Sequence, residues 1–496
     1  MQGLIVWGTT SDAGKSFIVT GLCRALANRG LKVAPFKGQN MSNNSYVTLS
    51  GHEIGIAQGL QAEAARTEAT VYMNPVLLKP SSQKSAEVIM LGESYGSPGA
   101  AEYRRSYIPE AREAVAKSLK VLAEEYDAIV MEGAGSPAEV NLMDKDIANL
   151  ITAEIANVPA LLAADIERGG IFASISGTLA LLPPKQRRRV KGLIVNRFRG
   201  DPALFENGVT WLEEHTGVSV NGVLPALDIH MEGEDSLAFS SLARRKEGAG
   251  TTIDMAVLSL PYIANHTDID PFTVEEDVSV RIVKEASQFG TPDVVFIPGT
   301  TTSPQESYAY LERLGLTEEI RSHFRQGGAI VGVGNGAQLL GKVEHARNRN
   351  EEAQTGLGIC PLYSQCQDTK KTSRWTGTFQ ADGTESRVTG FVIDDSIQHG
   401  RFDDSWLPLF VGKENQLEGI RSADNRLIGT SVHHAFHNDW WRTWWLNQLR
   451  EAKGVPKAEV APFTTNKDRK LDQLADAFEE HLNIDAILDM IKKGHI

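Results

Sequence analysis

Short apolar runs, each followed by a polar, glycine-containing cluster, recur along the first half of the chain. Gly3–Trp7 reads Gly-Leu-Ile-Val-Trp, the pattern of a buried strand. Leu31–Phe36, Tyr126–Met131, Pro159–Ala164, Val190–Val195 and Gly222–Pro225 repeat it. Helical stretches alternate with these runs; after the first, Ile18, Leu22 and Leu26 share one helical face, and Gly30 supplies a stop. The alternation predicts a doubly wound, mostly parallel sheet with helices on both faces. Ligands then gather along the edge where the strands end. After Asp235–Thr252, a Ser-, Ala-, Arg- and Gly-rich stretch that reads as a linker, strand patterns resume at Met255–Leu260, Val294–Ile297 and Ala329–Val333. Leu471, Leu474, Phe478 and Leu482 spell a terminal amphipathic helix. The expected division is an N-terminal domain over 1–232, a linker over 233–252, a second α/β domain over 253–452 and a helical tail over 453–496.

Composition narrows the class. The 496 residues exceed one ordinary core, so two or more domains are expected. Apolar residues at 41% and charged residues at 23% describe a globular protein. A net charge of −13 argues against general nucleic-acid affinity. Three cysteines, Cys23, Cys360 and Cys366, make no disulfide framework and fit a reducing cytoplasm. No signal-type segment precedes the first strand and no apolar run approaches membrane-spanning length, so neither export nor a membrane partner is expected.

The first polar cluster carries the clearest chemistry. Gly8, Thr9, Thr10, Ser11, Asp12, Ala13, Gly14, Lys15 and Ser16 join the first strand to the first helix. Strand, glycine-bounded loop, Lys-Ser and helix form the grammar of a phosphate-binding loop. Its backbone amides and the helix N-terminus face phosphate. Lys15 would reach the β- and γ-phosphates, and the Ser16 hydroxyl would sit on Mg²⁺. ATP and Mg²⁺ are therefore the expected cofactors. Five residues, rather than four, separate Gly8 from Gly14; the longer loop resembles that of dethiobiotin synthetases and cobyrinate amidases. Lys37 follows the second strand pattern. Glu132 ends the Tyr126–Met131 pattern beside Gly133 and Gly135, where an acidic group can hold Mg²⁺. Asn141, Asp144, Asp146 and Asn149 form a further polar cluster, and Asp165 and Asn196-Arg197 follow later strands. Lys37, Lys79, Arg168, Arg197 and Arg199 together suggest a locally basic site for a polyanionic substrate beside a nucleotide.

These blocks, with Ala34–Lys37, Gln39–Met41, Met73–Pro80, Glu132–Glu139, Asp165–Gly170 and Asn196–Gly200, closely resemble the cobyric acid synthase family along nearly the whole chain. The resemblance implies an N-terminal P-loop amidoligase domain and a C-terminal class I glutamine amidotransferase-like α/β domain. It implies ATP-dependent amidation of the b, d, e and g carboxylates of adenosylcobyrinic acid a,c-diamide, a corrinoid, with glutamine as nitrogen donor. Lys15, Lys37 and Asp165 are its implied catalytic residues, and Asn196 and Arg197 join the P-loop in binding nucleotide.

The second half departs from the family. Ala329–Val333 followed by Gly334-Asn335-Gly336 has the form of a nucleophile elbow. Family glutaminases carry cysteine there; here the position is Gly334. The Gly-Ser-Lys-Asn motif of the family is altered to Gly299-Thr300-Thr301-Thr302, and the Glu-Ile-His arrangement is absent after Gly390–Ile393 unless His399-Gly400-Arg401 is its displaced remnant. His433 matches the family's catalytic histidine but has no thiol to activate. The glutaminase is therefore expected to be degenerate, with nitrogen supplied as free ammonia or by a partner glutaminase. A non-catalytic corrinoid- or nucleotide-binding scaffold is the alternative, and a P-loop partitioning-type ATPase a third reading that the full-length resemblance disfavours.

Overall fold

The computed structural model describes residues 1–80, 86–96, 107–229, 252–344 and 356–494. Two sheets organise these residues. The first has six strands, Val220–Pro225, Val190–Phe198, Ala160–Asp165, Gly3–Gly8, Ala128–Glu132 and Val33–Phe36, in that spatial order. All of its pairings are parallel. Successive residues of each strand alternate between two cores. Ile5, Trp7, Phe36, Met131 and Leu162 pack in one, and Leu4, Val6, Val33, Val130 and Leu161 in the other. Both faces are thus covered, as a parallel sheet requires. Smaller antiparallel pieces, Val76–Pro80 with Ala86–Met90 and Ser45–Val47 with Glu53–Gly55, flank this sheet. The helix Ile56–Ala64 follows directly on the strand Glu53–Gly55.

The second sheet places Val278–Val283, Ile253–Leu258, Val294–Ile297, Ala329–Val333 and Leu427–Thr430 side by side in parallel. Antiparallel strands extend it, among them the long hairpin Leu362–Ala381 with Thr384–Gly400. The helix Asp439–Ala452 is tied beneath it by Arg442 and Arg450, both fully buried, which share Glu275, with Asp277 also on Arg450. Buried guanidinium groups need such partners.

The C-terminal helices Phe463–His481 and Ile484–Lys493 return to the first sheet. Leu471, Leu474, Phe478, Ile484, Ile487 and Ile491 fill the same core as Ile18, Val19 and Leu22 of the helix Lys15–Asn28. Arg24 of that helix is buried against Asp468 at 2.6 Å and Asp472 at 2.8 Å. The end of the chain therefore braces the helix that carries the P-loop. Residues 233–251 of the expected linker lie outside the described residues. Among the described residues, no helix is long and apolar enough to cross a membrane.

Candidate active site

The loop Thr9–Gly14 leaves the strand Gly3–Gly8 and enters the helix Lys15–Asn28. Gly14 has φ +90°, and a Cβ there would lie 2.1 Å from Nδ2 of Asn196, so only glycine fits. Lys15 is buried. Its Nζ donates to the carbonyl oxygens of Thr10 at 2.9 Å, Ser11 at 3.0 Å and Gly135 at 2.8 Å. These contacts fix the ammonium over the loop. Asn196 Nδ2 donates to the Ala13 carbonyl at 3.0 Å, and Arg197 Nη1 donates to the Asp12 carbonyl at 3.1 Å and to Asp165 at 2.8 Å. Asp165 and Asn196 are register partners on adjacent strand ends, which is why two distant segments meet at one loop.

Glu132 ends the strand beside Gly3–Gly8 and is fully enclosed. Its Oε1 accepts from Ser16 Oγ at 2.7 Å and from Lys37 Nζ at 3.1 Å, and its Oε2 accepts from Gln61 Nε2 at 2.7 Å. Burial pushes this carboxyl up. The Lys37 ammonium and the hydrogen bonds from Ser16, Gln61 and Lys37 outweigh it and hold the group below the ordinary carboxylate range. Ser16 and Glu132 thus offer two hard oxygen donors side by side. Mg²⁺ takes one or two protein oxygens and completes its shell with water and phosphate, so this donor set fits it. Among the described residues no group of three or more His, Cys, Asp or Glu side chains could hold a metal by itself. Next to Glu132, Asn149 Nδ2 donates to the Ala134 carbonyl at 2.6 Å and to Asp146. Burial pushes Asp146 up to about 6 despite the Asn149 hydrogen bonds.

The basic side chains grouped from the sequence do not form one excess of positive charge. Lys37 pairs with Glu132, Arg168 with Asp12, Arg197 with Asp165 and Arg199 with Glu167. Lys79 lies elsewhere, buried between the domains against Glu53. An acid thus stands beside each of these grouped bases.

The second site is the turn after Ala329–Val333. Gly334 has φ +59° and ψ −132°, and the short helix Asn335–Gln338 follows. Backbone in that region belongs to strained turns that present a side chain; here there is no side chain. His433 sits over the turn: a Cβ on Gly334 would lie 2.9 Å from its Nε2. His433 Nδ1 is 2.7 Å from Oδ2 of Asp268, and the other Asp268 oxygen accepts from the backbone N–H of His434. In the sequence Asp268 is one of a polar run, Asn265, Thr267, Asp268 and Asp270, just beyond a strand, in a block that resembles the family but assigns this residue no role of its own. Asn335 Oδ1 accepts from Thr300 N, and its Nδ2 donates to the Thr302 carbonyl, so the altered threonine segment is held against the elbow.

A cavity of about 220 Å³ opens in front of this turn, lined by His433, Asn335, Thr300 and Lys370 together with Lys79 and Glu87 of the first domain. Lys370 bridges Glu53 at 3.1 Å and Glu87 at 3.0 Å, and Ser45 donates to Glu53. Burial pushes Glu53 up, but Lys79 and Lys370 outweigh it and hold it well below the ordinary carboxylate range. Asn44 and Asn265 exchange hydrogen bonds with the backbone of His266 and Ser45 across the same boundary. The elbow therefore faces the first domain.

Residues 4–235 match the CobQ/CobB/MinD/ParA nucleotide binding domain, and residues 254–441 match the CobB/CobQ-like glutamine amidotransferase domain. The chain is similar to the cobyric acid synthase of Geobacillus thermodenitrificans (strain NG80-2), with 43% identity over 98% of this chain and 97% of the relative. The cobyric acid synthase of Geobacillus kaustophilus (strain HTA426) is 42% identical over 98% of this chain and 97% of its own length. That of Synechocystis sp. (strain ATCC 27184 / PCC 6803 / Kazusa) is 40% identical over 99% of both chains. With both domains matched and the likeness running through nearly the full length, this chain belongs to the cobyric acid synthase family.

Proposed function

We propose that this chain is an ATP-dependent ligase that forms C–N bonds by amidating the b, d, e and g carboxylates of adenosylcobyrinic acid a,c-diamide, with ammonia rather than glutamine as its direct nitrogen source. The observation that carries this reading is the contact of Ser16 and Lys37 with the buried Glu132 beneath the P-loop. A phosphate cradle, an oxygen pair for a divalent cation and a fixed ammonium meet at one place.

A carboxylate resists attack by ammonia because it carries charge and has no good leaving group. Transfer of the γ-phosphoryl group of ATP to it gives an acyl phosphate, whose phosphate leaves when ammonia adds. The difficulty is to bring two anions together, and positioning and charge neutralisation overcome it. The loop amides and Lys15 hold the β- and γ-phosphates. Mg²⁺, held by Ser16 and Glu132, would offset the phosphate charge when bound. Lys37, already fixed by Glu132, stands where it can steady the incoming carboxylate. Arg197 and Asn196 brace the back of the loop through Asp12 and Ala13.

The nitrogen donor follows from the elbow. Covalent glutamine hydrolysis needs a nucleophile on the turn, and Gly334 supplies none. Free ammonia or a partner glutaminase takes that role. The test is corrin amidation by the full chain with Mg-ATP and cobyrinic acid a,c-diamide, read by mass spectrometry. Ammonium salt supports product in the expected result and glutamine does not. Failure of both, with nucleotide bound, would overturn the reading.

A further inference from the structure

The elbow site retains a complete base and its orienting carboxylate with no nucleophile between them and the cavity. Resting on the ligase reading above, we propose that His433, oriented by Asp268, takes a proton from ammonium in the interdomain cavity and so delivers neutral ammonia to the ligase domain. Asp268 is buried and accepts at Nδ1 of His433, so the neutral ring carries its proton on Nδ1 and presents the Nε2 lone pair. That lone pair points to the space in front of Gly334, where a Cβ would stand only 2.9 Å away. With no side chain at 334, the space is open to a small donor.

The step balances without a co-reactant. One N–H bond of ammonium breaks, its electron pair stays on nitrogen as ammonia, and a new N–H bond forms at Nε2. Asp268 stabilises the imidazolium, which then gives its proton to solvent. Among the described residues, the charged groups across the cavity are Lys79 and Lys370, matched by Glu53 and Glu87. These carboxylates are already paired, so ammonium entering the cavity meets the Nε2 lone pair of His433 without a free carboxylate of this cluster competing for it. On the histidine side, Phe391 stacks on His433, and His434 stacks on His437. Burial pushes His434 well below the ordinary histidine range, with His437, Lys467, His433 and Arg374 adding to it, so His434 stays neutral. Among the described residues, the groups that face this pair of histidines are thus Asp268 on His433, His437, Lys467 and Arg374 around His434, and the four-residue cluster opposite.

The test measures ammonium-driven amidation by the full chain with Mg-ATP and cobyrinic acid a,c-diamide, varying ammonium chloride between about pH 7 and pH 9, for wild type, His433→Gln and Asp268→Asn. Near neutrality His433→Gln is expected to raise KM for total ammonium by roughly tenfold or more, with little change in kcat. The gap between variant and wild type should narrow as pH rises, because free ammonia then reaches the site without the base. Asp268→Asn, acting through the ring, shifts the same profile by less. Variants with wild-type ammonium dependence across the pH range would overturn the proposal and leave the ligase reading standing. A pH-independent loss would assign both residues a structural role and also overturn it. A wild type inactive with ammonium at every pH would remove the ligase reading, and this proposal with it.

Discussion

The two strand-to-helix turns of this molecule, Gly8–Ser16 and Val333–Gln338, differ in what they keep. At the first, geometry and chemistry are both present. The loop is closed by Asn196 and Arg197, the buried Lys15 is held by loop carbonyls and by Gly135, and Ser16 contacts the buried Glu132. At the second, the geometry is intact, with Gly334 in its positive-φ turn, His433 above it and Asp268 behind, but the reacting atom is missing. A backbone turn is stabilised by its strand, its helix and its hydrogen bonds, none of which involves the nucleophile. A turn can therefore keep its fold without the side chain its chemistry would need, and a site must be judged by its side chains.

The largest effect expected is on the first turn. Lys15→Ala should reduce ATP-dependent amidation by roughly 10³-fold while leaving the circular dichroism spectrum unchanged. Retained activity would break the contrast between a working and an idle turn. Glu132→Gln should raise the Mg²⁺ concentration needed for half-maximal activity by about 10–100-fold, measured by Mg²⁺ titration. It also leaves Lys37 without its carboxylate, so a lower melting temperature is expected alongside.

Gly334→Cys sharpens the comparison from the other side. Slow glutamate release from glutamine should appear, while Gly334→Ala, with the same backbone demand, should give none. Both should lose about 1–3 kcal/mol of stability, because a side chain at φ +59° is strained and its Cβ crowds His433. The smallest effect concerns Asp146, beside the P-loop site. Its carboxyl is raised to about 6 by burial, so the folded state favours the proton. The associated stability is full below the unfolded value of about 3.9 and is lost as pH rises through about 6. Asp146→Asn should flatten that part of the stability–pH curve by about 1–2 kcal/mol, measured by urea denaturation.

What could be read from sequence followed local spacing. The P-loop, the strand end at Glu132 and the elbow are each contiguous, and their residue types state their chemistry. The register that joins Asp165 to Asn196, and so closes the loop from behind, depends on strand order, which no local pattern encodes. Asp268 reaches His433 across 165 positions and looked like one of several polar loop residues. Lys79 read as a substrate-binding lysine, yet Glu53 and Lys370 draw it into a buried cluster at the domain boundary. The amphipathic pattern near Phe478 announced a helix but not the face it covers; that face is the P-loop helix, with Phe17 and Phe478 ring centroids 6.0 Å apart. The long hairpin Leu362–Gly400 gives little signal in the sequence because its described side chains mix buried, half-buried and exposed positions.

The central claim is that the first turn works and the second no longer hydrolyses glutamine. One competition experiment addresses it most directly: the full chain, Mg-ATP and cobyrinic acid a,c-diamide in a single reaction with glutamine labelled by nitrogen-15 at its side-chain amide and unlabelled ammonium chloride, read by product mass. The account predicts amidated corrinoid carrying only unlabelled nitrogen, with glutamine unchanged. Product carrying the label would contradict it and would mean that a nucleophile other than residue 334 serves the elbow.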